Sequence, residues 1–193
     1  MDVSSSTILN TDNSISSKET AINTSQNIES NNLITPSMQK HIIKAIAQNL
    51  RDIIRENIRN NHAKYIKHDL FFINIQHSIS IEDFITMIFK NTKMSISTLI
   101  IAIIYIDKFC ELYKYILSLK NIHRLIIASC LLSIKFNEDS ISTKYYSKIV
   151  GTNDYDLNNL ELYFYIKLEF SLFVDYDYYQ KYFEYFMNFK LDK

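Results

Sequence analysis

Five histidines, at positions 41, 62, 68, 77 and 123, are the side chains best suited to hold a metal or move a proton. Their spacing suits neither task, because no H-E-x-x-H or similar ligand pattern links them. Serine and cysteine nucleophiles fare no better, since no G-x-S-x-G turn is present to expose one. Cys110 and Cys130 lie in apolar helical patterns with no second pair to complete a zinc site, so they read as small hydrophobes in a reducing compartment. Asp175 and Asp177 precede a helix, where capping accounts for them better than acid–base work. The chain holds one glycine, and phosphate-cradling loops and dinucleotide fingerprints need several. The residues therefore predict no catalytic centre, no metal, no cofactor and no small-molecule substrate.

The charges that stand out are of another kind. In "ASCLLSIKFNEDS", Ala128 to Ser140, an apolar helix ends on Lys135 beside Phe136, and Glu138 and Asp139 follow. A helix C-terminus favours the lysine and disfavours the two carboxylates. The acids either cap the next turn or fold back toward Arg124, which sits at the dipole-unfavourable start of the same helix. A second partner open to Arg124 is Asp107, a lone carboxylate in the apolar run "AIIYIDKF", where a charge is costly unless paired or exposed. Asp107, Arg124 and Asp139 are thus the ion-pair candidates, with the pairing left open.

These residues must be positioned by helices. Of 193 residues, 47% are hydrophobic, and 21 basic residues balance 21 acidic ones, so the chain has no overall field for nucleic acid or a membrane surface. The scarcity of glycine also argues against tight hairpins and an all-β fold. No N-terminal apolar segment reads as a signal peptide, and the longest apolar run, Leu99 to Ile106, is too short to span a bilayer. An intracellular protein is expected. Residues 1–34, rich in Ser, Thr and Asn, bury too little apolar surface to offset the entropy of ordering and read as a disordered tail.

Thr35-Pro36 reads as an N-cap and first helical residue, followed by Ile43, Ile46, Leu50, Ile53, Ile54 and Ile58 at helical spacing. Arg51, Arg55 and Arg59 mark its polar face. Between Lys40 and Lys67 seven basic residues face two acids, whereas Asp154 to Glu184 carries seven acids and two lysines, so the charge is divided between the two ends. A solvated face laced with i,i+3 pairs is the plain reading of the arginine stripe, and partner docking is the other. From Ser80 onward five helices follow: from Ser80, from Ser95 or Ser97, from Asn121 to Phe136, from Ser142 to the turn at Gly151, and from Asp154 or Asp156. The third is apolar all round and belongs in the centre of a bundle. Asp175 then opens an aromatic-rich helix to about Phe189. The fold class is all-α: five helices around a central third, with one flanking helix before and one after. The expected divisions are a tail 1–34, a helix and linker 35–78, the five-helix unit 79–174 and a C-terminal helix 175–193.

Taken in order, "AIIYIDKF", "NIHRLIIASCLLSIKFNED" and "STKYYSKIVGTNDYDLNNLELYFYIKLEFSL" resemble the cyclin box, most closely that of P-type, phosphate-regulon cyclins. The resemblance covers about Ile79 to Tyr182. It implies a regulatory subunit that binds and activates a cyclin-dependent protein kinase in the nucleus or cytoplasm, in cell-cycle or nutrient control, and that has no catalytic role itself. It also implies that Lys135, ending the third helix, and Glu161 in "LNNLE" of the fifth contact the kinase, with Phe136 and Phe164 beside them. The alternative is a cyclin-box adaptor or scaffold for a non-kinase partner. The family's arginine in the first box helix is Met87 here, and the Met-Arg-Ala-Ile-Leu docking patch of cell-cycle cyclins is absent.

Overall fold

A computed structural model of the chain describes residues 34–62, 69–74, 78–138 and 141–192. Most of the expected tail, and Asp139 with it, lie outside the described residues. Side-chain caps start five of the seven helices described. Thr35 Oγ1 accepts from the Met38 N–H at 3.2 Å, and Pro36 at the first position opens α1, Pro36–Arg59, 24 residues long. Ser80 caps α2, Ile81–Thr92, through the Asp83 N–H, with Glu82 and Asp83 in the first turn where the dipole favours them. Ser95, of the two serines considered, caps α3, Ile96–Tyr113, through the Thr98 N–H.

Two start signals differ from the sequence reading. Asn121 stands at the cap position of α4, Ile122–Asn137, but its side chain makes no cap bond. Its Oδ1 accepts from the Ser118 N–H and its Nδ2 donates to the Ile116 carbonyl, so it braces the preceding turn instead. Helix α6, Asp154–Lys167, is capped by Asn153 rather than by Asp154 or Asp156. Both acids fall inside its first turn, where they favour the dipole without bonding the end. Between them α5, Thr143–Val150, stops at Gly151, whose φ of 71° is the left-handed conformation that glycine adopts without a Cβ penalty. Asp175 caps α7, Tyr176–Met187, as its position suggested.

Seven helices and no strand are present among the described residues. Helix α4 is the centre: every residue from Leu125 to Ile134 is buried, and it packs on α3 on one side and α6 on the other. Ser129 and Ser133 fit this setting because their hydroxyls donate back to the Ile126 and Cys130 carbonyls. Burial pushes the Cys130 thiol up to about 12 and the Cys110 thiol well above its usual value, so both remain protonated packing groups.

The outer helices share this core. Ile42, Ile46 and Leu50 of α1 are buried against α2 and α7, while Tyr182 and Phe186 of α7 reach in over α1 and α3. Polar bonds fix α7 in place. The Tyr182 hydroxyl donates to the buried carboxylate of Asp107, Tyr179 donates to Ser97 at 2.9 Å, and the Asn49 amide donates to Tyr185 at 2.8 Å. Burial, then the Asp107 charge, raises the Tyr182 phenol, so it stays a donor. Tyr182→Phe removes a donor from a buried carboxylate and is expected to cost about 1–3 kcal/mol. A thermal melt reads this as a Tm lower by several degrees, and an unchanged Tm would contradict it.

Candidate partner-binding site

Lys135 occupies the last turn of α4, where a cation suits the dipole. Glu161 lies on α6, the helix packed directly against α4, and so the two side chains meet. Lys135 Nζ donates to both Glu161 carboxylate oxygens, at 2.8 and 2.7 Å, and to Thr143 Oγ1 at 3.3 Å. One ammonium thereby joins α4, α5 and α6. The two side chains keep 30% and 18% of their surface open, so the pair lies at a rim rather than in the core. At such exposure it adds only about 0–1 kcal/mol to the fold. What it does is hold the ammonium and the carboxylate in fixed positions where the three helices meet.

The carboxylate that follows has a different use. Glu138 Oε1 accepts from the Ser95 backbone N–H at 2.7 Å. The acid that looked misplaced at the end of α4 thus serves the start of α3, where negative charge is favoured. Asn137 Nδ2 donates to the Ser133 carbonyl at 2.8 Å and satisfies the end of α4 itself.

Large apolar side chains flank the ion pair on the same elements. Phe136, next to Lys135, is 54% exposed, and Leu162, next to Glu161, is 56% exposed. Ile166 continues the outer face of α6, and Phe170 and Phe173 are exposed just beyond it. Glu169 and Phe170 both have positive φ, 53° and 59°, an uncommon conformation for residues with a Cβ. Phe170 rests edge-on against Tyr165 with ring centroids 4.8 Å apart.

Phe164 is a correction. It is fully buried, with its ring 5.5 Å from Phe109 and 5.7 Å from Phe71, so it has no surface to offer a partner. It falls in a stripe with Leu157, Leu160 and Leu168 on the inner face of α6. Leu162 and Ile166, on the opposite face, are the residues that the sequence reading missed, and their positions out of phase with that stripe were the available signal.

Of the other charged candidates, Asp107 and Arg124 lie among the described residues. Asp107 is held by Tyr182. Arg124 is half-buried, and its Nε has no hydrogen-bond partner among the described residues. His123 contacts the Ile79 carbonyl at 3.3 Å and the edge of Phe84 at 5.0 Å. Among the described residues no three His, Cys, Asp or Glu side chains gather as a metal site, and no helix is long and apolar enough to cross a membrane.

The sequence matches the family model described as Cyclin over residues 2–172. It is 32% identical to Cyclin-U2-1 of Arabidopsis thaliana over 129 residues, 66% of this chain and 58% of that protein. It is 39% identical to Cyclin-U4-3 of the same plant over 97 residues, 49% of this chain and 44% of the relative. It is 30% identical to Cyclin-P3-1 of Oryza sativa subsp. japonica over 98 residues, 50% of this chain and 42% of the relative. The matched segment thus spans about half the length of these relatives. An all-α bundle with a buried central helix, matched over most of its length by one family model, leaves a single assignment: the chain belongs to the cyclin family.

Proposed function

We propose that the chain is a regulatory cyclin subunit that binds and activates a cyclin-dependent protein kinase, with residues 79–174 as the docking unit, in the nucleus or cytoplasm. The single observation that carries this reading is the Lys135–Glu161 pair, fixed at 2.7 Å on the rim between α4 and α6 and flanked by exposed Phe136 and Leu162. A kinase C-helix laid on this surface meets a positioned ammonium for its backbone carbonyls and a positioned carboxylate for its donors, each bond strengthened by the charge. Phe136, Leu162, Ile166 and Phe170 supply the apolar contact. Fixing the C-helix holds the kinase's own glutamate on its ATP-binding lysine and favours an ordered activation loop. The cyclin supplies position, and the kinase supplies the chemistry.

The test is purification of the tagged chain from its own cells followed by mass spectrometry. A protein kinase in stoichiometric amount is the expected result. Reproducible recovery of only non-kinase partners would replace this reading with that of a cyclin-box adaptor.

A further inference from the structure

Lys135 carries three donor hydrogens, and three acceptors of the chain stand around them: the two Glu161 oxygens at 2.8 and 2.7 Å and Thr143 Oγ1 at 3.3 Å. To bond a partner, the ammonium must release one of them. The three bonds are unequal. Those to Glu161 are short and join opposite charges, whereas the bond to Thr143 is long and made to a neutral oxygen. The helix dipole does not favour the ammonium at Thr143 either. Thr143 is the first residue of α5, at the positive end of its dipole, and no acid stands in the first turn to offset it. Its hydroxyl is therefore the weakest hold on Lys135.

That hydroxyl is nonetheless held firmly in place. Three residues on, the fully buried Tyr146 donates to the Ile127 carbonyl of α4 at 3.0 Å, and Ser147 bonds the Asp154 carboxylate at the start of α6. Helix α5 is thus fixed to both helices that carry the ion pair. We propose that Thr143 is a place-holding acceptor: its oxygen keeps the third hydrogen of the Lys135 ammonium in the unbound chain and yields it to a backbone carbonyl of the docked partner. The proposal rests on the kinase-docking reading of the same pair and adds how the ammonium becomes available. Glu161 keeps Lys135 at the rim throughout, so no bond between charges is broken. The exchange trades one neutral acceptor for another, and a carboxylate at position 143 would block it.

The test measures variants of the full chain by thermal melt and by titration with the kinase that the wild type captures. Thr143→Val keeps the shape and removes the acceptor; it is expected to bind as tightly as the wild type or up to about threefold tighter. Thr143→Asp puts a carboxylate where the α5 dipole and Lys135 both favour it. It is expected to raise Tm while weakening kinase binding by about tenfold or more. Neither substitution changes affinity further once Lys135→Ala is present. A partner-free readout is solvent exchange of the Lys135 ammonium hydrogens by NMR, expected to be about threefold or more faster in Thr143→Val and slower in Thr143→Asp. Weaker binding by Thr143→Val, wild-type binding by Thr143→Asp, a loss that persists without Lys135, or unchanged hydrogen exchange would each overturn the proposal. Failure of the docking reading looks different: no kinase is captured, or Lys135→Ala leaves affinity unchanged, and the proposal then falls with it.

Discussion

Phe164→Ala is expected to destabilise the fold by about 3–5 kcal/mol, the range for deleting a fully buried phenylalanine. The ring stands at the meeting point of α3, α6 and the segment at Phe71, with Phe109 and Phe71 on it edge-to-face. Phe71 in turn contacts Tyr163 and Tyr115, so the cavity would open inside an aromatic cluster. Rings of this shape cannot collapse into the space without losing their mutual geometry. Thermal or urea unfolding reads the loss directly, as a midpoint that falls steeply. Leu162→Ala, one helical face away, is expected to leave the midpoint nearly unchanged while weakening partner binding. If Phe164→Ala kept its stability and lost only binding, the assignment of Phe164 to the core would be wrong.

The second large effect is on binding. Lys135→Ala and Glu161→Ala are each expected to weaken the complex with the kinase by about 2–4 kcal/mol, the cost of truncating a charged anchor at an interface centre. The loss exceeds what either residue gives the fold because their mutual bond is partly open to solvent and stabilises the isolated chain little. In the complex water leaves, and the remaining member of a broken pair is then buried without its partner. The two substitutions share this penalty, so their combined effect is expected to fall short of the sum. Isothermal titration with the captured kinase measures all three values. Additive losses, or a drop in Tm matching the loss of affinity, would contradict the role of the pair as one anchoring unit.

Much of the architecture was legible because helices report themselves locally. Proline at the first position, serine and threonine caps, apolar residues at spacings of three and four, and one glycine after Val150 each carry their meaning within a few residues. The central place of α4 followed from its lack of a polar face. What escaped was set by tertiary contact. Glu138 is unreadable alone, because the N–H that it caps belongs to Ser95, 43 residues earlier. Tyr182 as the partner of Asp107, across 75 residues, is equally invisible from either end. Asn121 had the residue type of a cap, but a nearer pair of backbone groups at Ser118 and Ile116 claimed its amide. In the candidate site, Lys135 and Glu161 were nameable by motif, while the bond between them and the outward turn of Leu162 and Ile166 came only with the packing of α6 on α4.

The most direct test of the kinase-docking account is a reconstituted activity assay with the kinase that co-purifies with the chain. The kinase alone is expected to be nearly inactive and to gain activity in proportion to added wild-type chain. The Lys135→Ala, Glu161→Ala double variant, folded by circular dichroism, should require a concentration about 30-fold or more higher for the same gain. A kinase equally active without the chain, or activated as well by the double variant as by the wild type, would contradict it.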